Sequence, residues 1–175
     1  RMGLDVEFVV PSGADAAYEQ HFQYNENKEI VRKPLIMING SRDTEDNHEK
    51  FIETIVHEIC HAVMNYGKYQ IDGNVIHSTT GFIEDEIKEE NGVFKEHSKG
   101  IAFEEGLNDY DARRIAEALL GRTDIKFTSY GLYVDYVSTI MNNPIIRKAV
   151  NQSRLNGDNE WMNLLGEEFS KDFMD

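Results

Sequence analysis

The sequence predicts an α+β domain, with its strands first and its helices later. Three observations carry this. The first 40 residues hold short apolar runs broken by turn formers, as strands do. Residues 46–66 hold an apolar arc that recurs at about 100° per residue, the period of a helix. From residue 103 onward the helical period returns, punctuated by Gly121, Pro144 and Gly157. The 175 residues fit one domain, 1–175, with sheet and first helix in about 1–100 and a helical part in about 101–175.

In order along the chain, residues 4–10 alternate partly and stop at Pro11, which predicts a strand. A turn at 12–15 leads to a short helix through Tyr18 and a short strand over 21–24. After a turn at 25–28, Leu35-Ile36-Met37-Ile38 reads as a buried strand closed by Gly40. Thr44 or Asp46 caps the next helix, with Glu49 three residues after Asp46 as in a capping box. That helix runs to about Tyr66, and Gly67 stops it. Residues 68–80 read as a loop. Asn91-Gly92 is a hairpin signal and predicts a ribbon of 82–88 with 93–98. Helices follow over 103–120, closed by Gly121, and over about 129–142. Another has Asn143 as cap and Pro144 in its first turn, and stops near Gly157. The last starts at Asp158 and carries Trp161, Leu164, Leu165 and Phe169.

Composition excludes several classes. A net charge of −14 repels phosphate backbones, so neither a nucleic-acid partner nor an anionic membrane surface is expected. No run of about 18 apolar residues is present, so no membrane span is expected. No signal peptide is visible, which favours a soluble, cytoplasmic protein. The single Cys60 excludes an intrachain disulfide and reads as a small core residue.

The motif that organises the chain is His57-Glu58-Ile59-Cys60-His61. On a helix, residues i and i+4 lie one above the other, so both imidazoles point the same way and can hold a divalent metal. Glu58 points close to the same space and can act on a water held there. Ile52, Ile55, Val56, Ile59 and Val63 form the arc expected to face the core, with the histidines almost opposite.

Two histidines do not complete a catalytic zinc site, which usually has three protein ligands. The downstream candidates are Glu104, Glu105, Asp109, His77 and His97. Glu105 and Asp109 stand at i and i+4 and share a helix face. Glu105 can then bind the metal while Asp109 accepts the N–H of a ligand histidine from behind. Glu104 points about 100° away from Glu105. A metzincin reading fails because no third histidine follows at the required spacing. A deformylase reading fails because the lone cysteine lies inside the motif, on another helix face.

With Glu105-Gly106-Leu107-Asn108-Asp109 after the first motif, the chain resembles the zincin metallopeptidases of the gluzincin group, which join H-E-x-x-H to a later E-x-x-x-D helix. The long gap between the motifs is more similar to the anthrax lethal factor catalytic domain than to thermolysin. The stretch from Phe103 to Tyr110 also resembles a helix of small uncharacterised bacterial zincin-like proteins. The resemblance covers roughly residues 34–140. It implies a zincin-like fold, a small twisted, mostly antiparallel sheet over the active-site helix with a helical C-terminal half. It implies an edge strand that receives a peptide or protein substrate, with 35–39 and 81–84 as candidates. It further implies Zn²⁺ on His57, His61 and Glu105, with Glu58 as general base in peptide hydrolysis. A tyrosine near the start of the helix after the second motif would stabilise the oxyanion. That points to Tyr130 ahead of Tyr133, with His77 and His97 as weaker donors. The competing class is a zincin-like metal-binding module with little or no turnover, acting as a binding or regulatory protein.

Overall fold

The computed structural model describes residues 5–8, 16–24, 30–64, 66–72, 75–91, 93–125, 130–158 and 160–172. They form an α+β structure in two compact units. One comprises Arg1–Val63 and Asn108–Ser129, the other Met64–Leu107 and Tyr130–Asp175.

The first unit is built on strands β1 (Asp5–Phe8), β2 (Ala16–Tyr24) and β3 (Ile30–Ile38). The sheet order is β1-β3-β2. β1 runs parallel to β3, and β2 runs antiparallel to it, from Ala16 opposite Ile38 to Tyr24 opposite Ile30. The short helix expected through Tyr18 is therefore strand. Full-length pairing with β3 overrides the local helix preference of Ala16 and Ala17. The predicted turns at 12–15 and 25–28 lie outside the described residues.

After a 3₁₀ turn over Gly40–Arg42 comes helix α1 (His48–Val63). Its start lies beyond the expected caps Thr44 and Asp46. A turn in which Asn47 N–H donates to the Thr44 carbonyl leads into it. Phe51 packs with Ile36 and Ile38 of β3, joined by Tyr18, Ile55 and Ala62. A second cluster joins Val56, Cys60 and Ile52 to Ala112 of helix α2 (Ile101–Leu120). Cys60 is buried, as its reading as a core residue required. In this unit α1 thus has two covers, the sheet and the later half of α2. That changes its pattern of burial. Ile59, 40% exposed, belongs to neither cluster, and Val63 is exposed at the helix end, whereas His57 is buried. Arg122, just past α2, is paired with Glu49 in the first turn of α1.

The second unit holds a four-stranded antiparallel meander, β4 (Tyr66–Asp72), β5 (Val75–Thr80), β6 (Ile83–Glu90) and β7 (Val93–Lys99), in that order. Two expectations are corrected here. The motif helix ends at Val63, not near Tyr66, and 68–80 is not a loop. Ladder pairing of 66–72 with 75–80 takes both segments into the sheet. The expected ribbon is present as β6–β7, with Asn91 at φ 56° in its turn. Gly92 of that turn lies outside the described residues.

The helices of this unit are the first turns of α2, then α3 (Gly131–Met141), α4 (Pro144–Asn156) and α5 (Glu160–Asp172). Asn143 Oδ1 accepts from the N–H groups of Ile145 and Ile146, and Gly157 ends α4 at φ 70°. Asp158 Oδ1 then accepts from Glu160 N–H at 3.2 Å and from Ser153 Oγ at 2.5 Å. Phe82, Phe103 and Trp161 form an aromatic core, the last two stacked with centroids 4.5 Å apart. Among the described residues no helix is long and apolar enough to cross a membrane.

Candidate metal centre

The motif histidines lie one turn apart on α1, and their Nε2 atoms are 3.1 Å apart. Two imidazoles bound to one tetrahedral zinc ion at ~2.05 Å each would place these nitrogens about 3.3 Å from one another. The pair is therefore already close to the spacing of two ligands of a single ion.

The opposite edge of each ring is held from α2. His57 Nδ1 lies 2.6 Å from Asp109 Oδ1, and both residues are buried. His61 Nδ1 lies 2.9 Å from Asn108 Nδ2, on a side chain with no exposed surface. On the other side, Tyr18 of β2 stacks on the His61 ring at 5.8 Å, with ring planes 7° apart. The His57 and His61 rings meet edge-on at 71°. With an α2 side chain beside Nδ1 on both rings, Nε2 is the atom each presents. This is how metal-ligating histidines are usually oriented by their partners.

α2 is one continuous helix, so Glu105 lies a single turn before Asp109 on the same face whatever surrounds it. His57, His61 and Glu105 can each offer one ligand atom, all within 4.8 Å of one another, and form a group that could hold a metal ion. Two imidazoles and a carboxylate are the donor set that suits zinc. Glu58 follows His57 on α1 and is half-buried.

Glu104 has a different task. It is fully buried and its Oε2 accepts the Phe82 N–H at 2.7 Å. It thereby satisfies a backbone donor at the turn before β6. Gly81, in that turn at φ 56°, has no room for a Cβ, which would lie 2.5 Å from Glu104 Oε2 and closer still to Met64 Sδ. His77 and His97, the other candidate ligands, face each other across Glu86 on three neighbouring strands. His77 Nδ1 lies 3.9 Å from Glu86 Oε2.

Tyr130 precedes α3 as its N-cap residue, and its ring stacks on Tyr133 at 6.0 Å. The first turn of α3 abuts α2 at Gly106, where a Cβ would come within 2.8 Å of the Tyr133 backbone. Tyr133 therefore starts from the α2 turn that carries Glu105, and Tyr130 stands beside it.

Two groups were missed by reasoning from the sequence. Asn108 is one; its signal was a polar residue between Leu107 and Asp109 in a stretch that is otherwise buried. Glu53 is the other. It stands one turn before His57, and its carboxyl is pushed up to about 7, chiefly by burial and then by the negative charge of Asp109, with His57 and Lys50 opposing. Both expected substrate-receiving segments need correction. Residues 35–38 belong to β3, paired on both sides, and β6 is paired on both sides from Ile83 and Glu84 onward. A strand whose hydrogen-bonding groups are already engaged cannot receive another backbone.

The chain matches no protein-family model, no curated protein and no solved structure.

Proposed function

We propose that the chain is a zinc-dependent peptidase with a zincin-like arrangement of its motif helix and sheet. The observation that carries the reading is the spacing of the two Nε2 atoms, 3.1 Å, on imidazoles each backed at Nδ1 by α2. His57, His61 and Glu105 hold the ion. Bound there, a divalent cation supplies Lewis-acid polarisation of water and of a carbonyl. The rest of the chemistry belongs to the protein. The Glu58 carboxylate takes a proton from the attacking water and returns it to the leaving amine nitrogen. The Tyr130 hydroxyl donates to the oxygen that gains charge on the scissile carbonyl. Asp109 keeps the His57 ring oriented and its Nδ1 proton engaged.

The substrate backbone docks on β2. Among the described residues nothing pairs with the outer side of β2, and this strand carries Tyr18, whose ring covers His61. An extended peptide added there runs alongside the histidine pair.

A digest of a peptide library by wild type and Glu58→Gln tests this, with zinc content measured on both. We expect the variant to keep its zinc and lose turnover by at least about 10³-fold, since a general base commonly contributes 10²–10⁴. Turnover retained in Glu58→Gln would remove Glu58 as the base. Zinc bound by a wild-type chain that cleaves nothing would instead identify a non-catalytic metal-binding module.

A further inference from the structure

We propose that Asn108 is a positioning residue that serves His61 in both of its neutral tautomers, so that one side chain holds the ring before and after an ion is bound. The proposal rests on the metal-site reading above.

The neighbours of the two rings are unlike. His57 is backed by a carboxylate, which only accepts, and so it holds His57 with the proton on Nδ1. His61 is backed by a carboxamide, which has a donor end and an acceptor end. The separations of 2.6, 2.9 and 3.1 Å permit two proton arrangements. In the first, Asn108 Nδ2 donates to His61 Nδ1, the His61 proton sits on Nε2, and Nε2–H donates to His57 Nε2. In the second, a half-turn of the amide puts Oδ1 at the same position. It accepts from His61 Nδ1–H, and Nε2 keeps its lone pair for a cation. Either way the hydrogen bond between Asn108 and His61 Nδ1 is kept, which matters because Asn108 has no exposed surface.

An aspartate at 108 would satisfy only the second arrangement and would add a buried negative charge next to Asp109. A leucine would satisfy neither. The amide therefore lets His61 exchange tautomers while keeping its Nδ1 hydrogen bond and without altering the charge behind the ligands.

The experiment reads the ¹⁵N shifts of the His61 ring at neutral pH. It uses EDTA-treated and zinc-loaded full-length protein as wild type, Asn108→Asp and Asn108→Leu, with zinc affinity measured by competition against a chelator. Wild type is expected to carry the His61 proton on Nε2 after EDTA and on Nδ1 with zinc. Asn108→Asp, close to isosteric, is expected to show the Nδ1–H form in both samples and to keep its zinc. Asn108→Leu is expected to bind zinc about 10–100-fold more weakly. The proposal is overturned if the EDTA-treated Asn108→Asp and wild-type rings show the same tautomer, or if Asn108→Leu binds zinc as wild type does. Zinc affinity unchanged in His57→Ala would overturn the metal-site reading alone. The tautomer comparison in EDTA would still decide the role of Asn108, and Asn108→Asp decides it even if Asn108→Leu does not fold.

Discussion

α1 and α2 build the candidate site together, yet they bring their chemistry to it in opposite ways. α1 carries a spaced motif on an amphipathic helix, with buried Phe51, Val56 and Cys60 beside the histidines. α2 carries no strong stripe. It instead buries three polar residues on two successive turns, Glu104, Asn108 and Asp109, at 0%, 0% and 3% exposure. Each of the three has a partner that needs it: the Phe82 N–H, the His61 ring and the His57 ring. The difference teaches that a ligand helix can be read from spacing, whereas its support is visible only once the facing groups are known.

The adjacent carboxylates of α2 give the sharpest way to break this contrast. Glu105→Ala should weaken zinc binding by at least about 10³-fold with little change in folding, since it would remove one of the three proposed ligands. A chelator competition giving wild-type affinity would return Glu105 to the surface. Next in size is Gly81→Ala, which forces a Cβ against Glu104 Oε2 and Met64 Sδ at φ 56°. About 3 kcal/mol of lost stability is expected, from overpacking and a left-handed backbone together. Urea melts would show it as a lower midpoint with an unchanged slope. Glu104→Ala leaves the Phe82 N–H without its acceptor and should cost about 2 kcal/mol. If it instead abolished zinc binding in a folded protein, the two neighbours would have exchanged roles.

The last effect, seen only through pH, belongs to Glu53. Its folded-state carboxyl titrates at about 7, above the ordinary 4.5, so the folded chain holds this proton where the unfolded chain has lost it. Its contribution to stability is therefore complete below about pH 4.5 and disappears as pH rises through about 7. Denaturation of the EDTA-treated protein at pH 5 and pH 8, compared with Glu53→Gln, should show a loss of stability toward pH 8 that the variant lacks. An identical dependence in the two proteins would mean that Glu53 is not held protonated.

Much of the helical framework was legible from local signals. Asn143 and Pro144 marked the start of α4, and Gly121 and Gly157 adopt the left-handed conformation at the ends of α2 and α4. The sheets were less legible, because strand identity depends on partners distant in sequence. Residues 16–18 are strand because β3 lies alongside them, and 66–72 because β5 does. The candidate ligands were legible since the i, i+4 relation is local to one helix. Burial of His57 was not, because it is imposed by α2, some fifty residues later. For the same reason the apolar arc of α1 was drawn too far round, to Ile59 and Val63.

Cys60 is the chain's single thiol, and it is shut between Val56 of α1 and Ala112 of α2, one residue before His61. An alkylating reagent can reach it only when these two helices part. Its labelling rate is thus a clock for local opening at the place where the candidate ligands are held, readable without a probe being introduced. An ion that ties α1 to α2 slows that clock in proportion to the opening equilibrium it suppresses. The same buried sulfur would let the hold of a metal on the candidate ligands be timed in the native protein, independent of any substrate.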